Sequence, residues 1–271
     1  MIKLLMVLLL VITNFPYLKY EQQNILQISV LEVGQGDSIL IRSADGKYLL
    51  VDGGPDASVL SRLGQILPVW IREIDYLVIT HPDLDHLGGA VEVLARYKIK
   101  NLIISDHKSS SQAYAFLEKL MSNVKSTTKF AGESIVLGCC TVLDFLWPDK
   151  SLDRSTLSAN DNSLVFQLRY NDFDMLFTGD IEEKIEAEIL VSDIDVLKIA
   201  HHGSKTSTSN KLLESTNPEV AIISAGKNNK FNHPHPEVLQ RLQDSGIDVY
   251  RTDQNNTVHI YSDGKKYWFK H

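Results

Sequence analysis

A chain of 271 residues, 44% hydrophobic, with 27 Lys and Arg against 34 Asp and Glu, has the make-up of a globular protein of one large or two small domains. Disorder, collagen and a polytopic membrane protein are excluded. The formal charge of −7 argues against a broad basic face that grips nucleic acid, although bound metal can make a local site positive.

The chain opens with Lys3 and an unbroken apolar run over 4–12, too short to span a bilayer. A charge followed by an apolar run fits a secretory signal or a short membrane-associating segment, without a clear small-x-small cleavage site. The expected organisation is therefore a hydrophobic segment over 1–20 and a single domain over 21–271. The expected location is extracytoplasmic, secreted or membrane-associated. Strands are predicted over 25–33, 38–42 and 48–51, the last two joined at Asp45-Gly46, a strong hairpin signal. The period then changes, giving a helix over 59–67, a buried strand over 76–80, a helix over 90–97 and a strand over 102–104. The second half repeats this order with strands over 135–145, 163–170 and 174–178, a helix over 181–190, and a strand over 196–200. A strand over 220–224 and a helix over 237–243 follow. Two β-then-βα halves without a Pro/Gly-rich linker predict an α/β (α+β) domain: two mixed β-sheets face to face with helices outside, a four-layer αββα sandwich. Cys139 and Cys140 are adjacent, so they cannot staple distant segments or form a structural zinc site.

The densest chemical signal is Thr80-His81-Pro82-Asp83-Leu84-Asp85-His86-Leu87-Gly88-Gly89, directly after an apolar strand. His81, Asp83, Asp85 and His86 are potential metal ligands within six residues, and a loop leaving a strand end can wrap them around two nearby ions. His201 and His202 follow another buried strand. In extended chain, one of two consecutive residues faces the metals and the other faces away, and His202 is the favoured ligand. Ser204 and Lys205 stand in a loop with backbone amides, hydroxyls and a cation suited to phosphate. No interleaved aromatic and basic pattern of a single-strand platform stands out.

The 80–89 segment resembles the HxHxDH signature of the metallo-β-lactamase superfamily, with Asp83 in place of the second His. Val33-Gly34-Gln35-Gly36-Asp37-Ser38, Val51-Asp52-Gly53-Gly54, Phe177-Thr178-Gly179-Asp180 and Ala200-His201-His202-Gly203-Ser204 occur in the order of the ComEC-type branch, whose domain is similar to the nuclease-like part of a DNA-uptake channel. The match is to that domain as a stand-alone unit, not to the channel. The resemblance implies that His81 and Asp83 hold one metal, Asp85 and His86 another, and that Asp180 bridges the two. It also implies that Asp52 supports the ligands from behind, with Asp37 in a neighbouring motif. The late pair His233 and His235 resembles an element that related enzymes place near their metals. The isolated third His is missing, and Asn160 and Asn162 occupy its place. An oxygen-rich ligand set moves the preference from zinc toward manganese.

The expected function is that of a binuclear hydrolase with two divalent ions, manganese or zinc. It would cleave phosphodiesters in nucleic acid, with DNA the expected substrate, by a metal-bound hydroxide at Asp85. His201 or His235 would assist the leaving oxygen and His233 would contact substrate. The alternatives are hydrolysis of a thioester, lactone or small phosphodiester, and a non-catalytic metal-binding module docking with a DNA-uptake apparatus.

Overall fold

The computed structural model describes residues 24–270, so the hydrophobic segment over 1–20 lies outside the described residues. The chain begins with strands β1 (Leu26–Val30), β2 (Ile39–Arg42) and β3 (Tyr48–Val51), followed by helix α1 (Ser58–Ile66), β4 (Glu73–Ile79), α2 (Leu84–Arg96) and β5 (Lys98–Ile104). Helix α3 (Gln112–Met121) and β6 (Lys125–Thr127) complete the first half, for part of which the sequence pattern gave no element. The second half runs β7 (Ser134–Leu137), β8 (Thr141–Trp147), β9 (Val165–Tyr170), β10 (Phe173–Phe177), α4 (Glu183–Glu186), β11 (Val196–Lys198), α5 (Asn210–Thr216) and β12 (Val220–Ile223). It ends with α6 (Pro236–Asp244), β13 (Asp248–Arg251), α7 (Thr252–Asn255), β14 (Val258–Ser262) and β15 (Tyr267–Lys270).

These strands form an eight-stranded sheet in the order β15-β14-β1-β2-β3-β4-β5-β6 and a seven-stranded sheet in the order β13-β12-β11-β10-β9-β8-β7. Each sheet is mixed. In the first, β1–β2–β3 are antiparallel and β3–β4–β5–β6 parallel; in the second, β8–β9–β10 are antiparallel and β10–β11–β12–β13 parallel. The expected turn at Asp45-Gly46 closes the β2–β3 hairpin, where the Ser43 N–H donates to the Lys47 carbonyl at 2.9 Å.

Alternation along the strands sends one set of side chains inward. Ile28, Ile41, Leu49 and Val78 from the first sheet meet Leu143, Phe145, Phe166, Met175 and Phe177 from the second, all buried. The outer face of the first sheet is covered by α1, α2 and α3 through Val59, Leu63, Leu87, Ala90 and Leu117. The outer face of the second is covered by α5 and α6 through Leu212, Leu213, Val238 and Leu242. The expected four-layer αββα sandwich is the observed one.

Three elements depart from the sequence reading. The strand expected over 135–145 is a hairpin of β7 and β8, because Gly138 takes φ +70° and turns the chain. The helix expected over 181–190 is the single turn α4. Glu182 and Glu186 repel as like charges four apart, and the Glu186 carboxylate instead accepts from the backbone N–H groups of Thr208 and Ser209. The helix expected over 90–97 begins six residues earlier, at Leu84. Asp85 and His86 therefore stand in its first turn rather than in a loop.

Candidate metal centre

The parallel strands β3, β4, β10, β11 and β12 end on one side of the sandwich, and the polar residues that follow them meet there, as open α/β sheets place ligands beyond the carboxyl ends of their strands. The residue after β3 is Asp52, with a left-handed φ of 56° and no exposure. Its Oδ1 accepts the Thr80 N–H at 2.8 Å, and its Oδ2 accepts the Thr80 hydroxyl at 2.7 Å and His86 Nδ1 at 2.8 Å. One carboxylate thus fixes the end of β4 and the ring of His86 together. Helix α2 is seated close by: a Cβ on Gly89 would lie 2.0 Å from the Gly53 carbonyl oxygen, so only glycine permits this approach.

Asp83 is the N-cap of α2, yet its side chain makes no capping hydrogen bond. Its carboxylate, 47% exposed, lies 3.9 Å from His81 Nε2. Aspartate at this position ordinarily caps the helix. Here it is turned toward the site instead.

Across the interface, Asp180 follows β10 and its backbone N–H donates to Ser163 Oγ at 3.2 Å. Its Oδ2 lies 3.2 Å from His86 Nε2, 3.3 Å from His202 Nε2 and 4.0 Å from His81 Nε2. His202 Nε2 is also 3.4 Å from Asp85 Oδ2. Asp85, His86, Asp180 and His202 thus offer donor atoms all within 4.8 Å of one another. A second trio, Asp37, Asp52 and His86, is equally compact. Both Asp52 oxygens, however, are engaged by Thr80 and His86, and Asp37 Oδ2 is paired with Lys198, so this trio stands behind the first cluster.

The hydrogen bonds behind the imidazoles set their tautomers. His202 Nδ1 lies 3.1 Å from the Ser224 carbonyl oxygen, which can only accept, so Nδ1 carries a proton. His86 Nδ1 donates to Asp52 in the same way, and His81 Nδ1 lies 3.1 Å from the Thr80 hydroxyl, whose own proton goes to Asp52. All three rings therefore turn Nε2 inward. None of these buried Nε2 atoms has a hydrogen-bond partner, and neither does Asp180 Oδ1. Lone pairs facing carboxylate oxygens require positive charge between them, and a cation that several donors share fits this arrangement.

The electrostatics carry the same demand. Burial pushes the His86 and His202 imidazoles down, but the Asp180 charge overcomes it and holds both well above the ordinary histidine value. Burial raises the Asp180 carboxyl, and His202 and His86 overcome that to hold it well below its ordinary value. His81 goes the other way, driven down to about 3 by burial and by the charge of His86. Positive charge in the cluster comes from protons or from metal ions, and metal binding would displace the protons.

Of the 201–202 pair, His202 is the one whose Nε2 stands in the cluster, and alternation along an extended chain is not the cause. The pair is not extended: His201 and His202 take φ of 48° and 55° in a tight turn after β11. Two consecutive left-handed non-glycine residues carry strain, which the surrounding bonds hold in place. His201 is swung outward, with Nε2 3.4 Å from Asn160 Nδ2 and Nδ1 3.9 Å from Glu182. His233 lies nearest to it in the late pair, with ring centroids 5.7 Å from His201 and 6.5 Å from His202. His235 stands one ring farther out, 5.0 Å from His233.

Several expected residues are engaged elsewhere. The Asn162 Oδ1 accepts from Arg154 at 2.8 Å and its Nδ2 donates to the Ser158 carbonyl at 2.9 Å, so its side chain braces the preceding loop. Asn160 reaches His201 rather than the four-donor cluster. The Ser204 hydroxyl bonds to Thr206 within its own loop at 3.0 Å, and Lys205 is exposed.

Sequence reasoning missed Lys198. Its ammonium is 1% exposed, 2.8 Å from Asp37 Oδ2, and donates to the Ile199 carbonyl at 2.9 Å. Asp37 Oδ1 in turn lies 3.5 Å from His202 Nδ1. The available signal was a single charge inside the apolar run over 196–200.

The sandwich with a His/Asp cluster at its strand ends has the metallo-β-lactamase fold, and residues 31–126 match the metallo-β-lactamase superfamily. Among individual proteins, the chain is similar to ComE operon protein 3 of Bacillus subtilis, 33% identical over 260 residues, covering 86% of this chain and 32% of that protein. It is similar in the same way to competence protein ComA of Neisseria gonorrhoeae, 31% identical over 243 residues, covering 87% of this chain and 32% of that protein. The chain thus spans about a third of the length of these curated relatives. Among solved structures, Igni18, a metallo hydrolase of Ignicoccus hospitalis, matches with a TM-score of 0.58 at 14% identity, over 86% of this chain and 98% of that one. At that identity the likeness shows the fold alone. The superfamily match over residues 31–126 and the likeness to competence proteins accord with the resemblance that the sequence motifs carry.

Proposed function

We propose that this chain is a binuclear metal-dependent phosphodiesterase that cleaves nucleic acid, with DNA as its substrate. The observation that carries the reading is the convergence of partnerless His81, His86 and His202 Nε2 atoms on one Asp180 oxygen. Asp85, His86 and His202 would hold one ion, His81 and Asp83 the other, and Asp180 would touch both. Two divalent ions held there would supply a water nucleophile at neutral pH and the positive charge that a phosphate requires.

The chain's own residues account for the remaining roles. Asp52 orients His86 and holds the end of β4, so that His81 and His86 keep their separation. Lys198 and Asp37 stand behind His202 in the same way. His201, 24% exposed and with its ring 6.2 Å from that of His202, would give a proton to the leaving oxygen. His233 is unsuited to that step, because burial, and then the neighbouring His202, His201 and His235, drives its imidazole down to about 4. Neutral at physiological pH, it keeps one N–H and one lone pair for hydrogen bonding but lacks the second, acidic proton that this step needs. The net charge of −7 and the carboxylates of Asp83, Asp85 and Asp180 would repel a polyanion without metal. The motif resemblance to the nuclease-like part of a DNA-uptake channel favours DNA over RNA, and an extracytoplasmic location accords with the apolar run over 4–12. Among the described residues no helix is long and apolar enough to cross a membrane.

The test uses the full chain, stripped of metal and reloaded with manganese or zinc, and offered DNA, RNA, a thioester and a lactone. The expected result is metal-dependent DNA cleavage, lost in Asp85→Ala and His202→Ala proteins that stay folded by circular dichroism and hold less metal. Cleavage of only the thioester or lactone would overturn the phosphodiesterase reading. Full activity and unchanged metal content in folded Asp85→Ala would overturn the site.

A further inference from the structure

Beside the cluster, the loop between β12 and α6 carries an aromatic ring with no role in the core. Phe231 is 47% exposed and stacks on the His233 ring, with centroids 5.7 Å apart and planes inclined by 25°. His233 is in turn 6.5 Å from the His202 ring, so Phe231 stands one ring beyond the rim of the metal centre. The Lys230 ammonium lies 5.0 Å from the Phe231 centroid.

The loop is built to hold this ring. Asn229 Oδ1 accepts the N–H groups of Phe231 at 3.1 Å and His233 at 3.0 Å, while its Nδ2 donates to the carbonyls of Gly226 at 2.9 Å and His233 at 2.6 Å. The His235 N–H donates to the Gly203 carbonyl at 2.9 Å, tying the end of the loop to the His202 turn. A Cβ on Gly203 would lie 2.5 Å from the Pro234 side chain, so the two segments are in tight contact. Ring and metal centre are therefore positioned relative to each other before any ligand arrives.

We infer that Phe231, backed by His233, is the seat on which the base adjoining the scissile phosphate stacks, with Lys230 neutralising the neighbouring phosphate. The inference rests on the phosphodiesterase reading and adds the residue that grips the nucleotide. An exposed cation–π contact is weaker than base–aromatic stacking, so an incoming base displaces the flexible lysine from the ring. The lysine then meets the phosphate that arrives with that base. A base can use this seat only when its face is free of its duplex neighbours, so the seat selects an unpaired nucleotide. Phe231 is a specificity-determining residue in this role.

The experiment uses zinc-loaded full chain and a short phosphorothioate-linked single-stranded oligonucleotide carrying 2-aminopurine, which resists cleavage and reports stacking by fluorescence quenching. Wild type is expected to quench it. Phe231→Ala should abolish the quenching and raise Kd about tenfold, and Phe231→Trp should restore both. An oligonucleotide with an abasic site at the reporter position should bind wild type as weakly as the intact one binds Phe231→Ala, with no further loss when both changes are combined. Unchanged quenching and Kd in Phe231→Ala, or losses that simply add, would overturn the seat. Cleavage of DNA with no effect of Phe231→Ala would sink the seat and leave the phosphodiesterase reading standing. The expected quenching pattern in a chain that cleaves no phosphodiester would do the reverse.

Discussion

Replacing Asp52 with Asn tests whether the carboxylate behind His86 acts through the metal centre or only through the fold. In the native chain Oδ2 accepts from both the Thr80 hydroxyl at 2.7 Å and His86 Nδ1 at 2.8 Å. In Asp52→Asn the amide oxygen keeps the Thr80 N–H, and the amide nitrogen faces the other two groups. The threonine hydroxyl can rotate and accept. The imidazole can accept only by giving up its Nδ1 proton, which leaves its remaining proton on Nε2, the atom that faces Asp180 3.2 Å away. Every buried group then keeps a partner, so the metal-free fold should lose no more than about 1 kcal/mol, the scale of a single exchanged hydrogen bond. Metal affinity should fall roughly 10- to 100-fold, the usual effect of removing a partner behind a ligand histidine. Competition with a fluorescent chelator gives the affinity, urea unfolding of stripped protein gives the stability, and nitrogen NMR of His86 gives the tautomer. Native metal affinity in a folded Asp52→Asn chain with His86 protonated at Nε2 would refute the reasoning.

Further predictions concern the layers around the centre. Lys198→Met should cost about 3–5 kcal/mol by leaving the Asp37 carboxylate buried without its ammonium, and adding Asp37→Asn should recover most of it; urea unfolding in which the two changes simply add would contradict the pair. Burial pushes the Asp37 carboxyl up, but Lys198 and His202 overcome it and hold it below the ordinary 3.8, so its stabilisation is present above that value and lost as pH falls through the depressed one. Acid unfolding of Asp37→Asn should accordingly be less steep than that of wild type. Gly89→Ala should cost about 2 kcal/mol or more and loosen metal binding, since its methyl group would meet rigid backbone at Gly53 and Asp56; an unchanged melting temperature would argue against this close approach. Manganese should support faster turnover than zinc in the native chain, and Asp83→His should shift the order toward zinc; initial rates on a phosphodiester with each ion decide it, and zinc preference in both proteins would rule it out.

What the sequence determined by itself was local. Candidate ligands packed into 81–86, glycines beside them, and apolar runs of strand length are each contiguous, and periodicity reports contiguous features directly. The αββα layering was legible because each half carried the same order of periods. Boundaries were less so: α2 begins inside the ligand motif because packing against Gly53 favours helix there, and α4 stops after one turn because Glu186 finds backbone partners in the 208–209 loop. Pairings between distant segments lay wholly with the tertiary structure. β14 returns from the end of the chain to pair with β1, Lys198 meets Asp37, and Asn162 is drawn to Arg154 instead of the metal cluster. The same holds for the aromatic ring at the rim. Phe231 reads in sequence as one exposed residue in a polar turn, and the intervening His233 connects it to the site only once the loop has docked on the His202 turn. The reason is common to all of these: a contact between residues far apart in sequence is selected by shape and charge across the assembled sheets, and neither leaves a period in the chain that makes it.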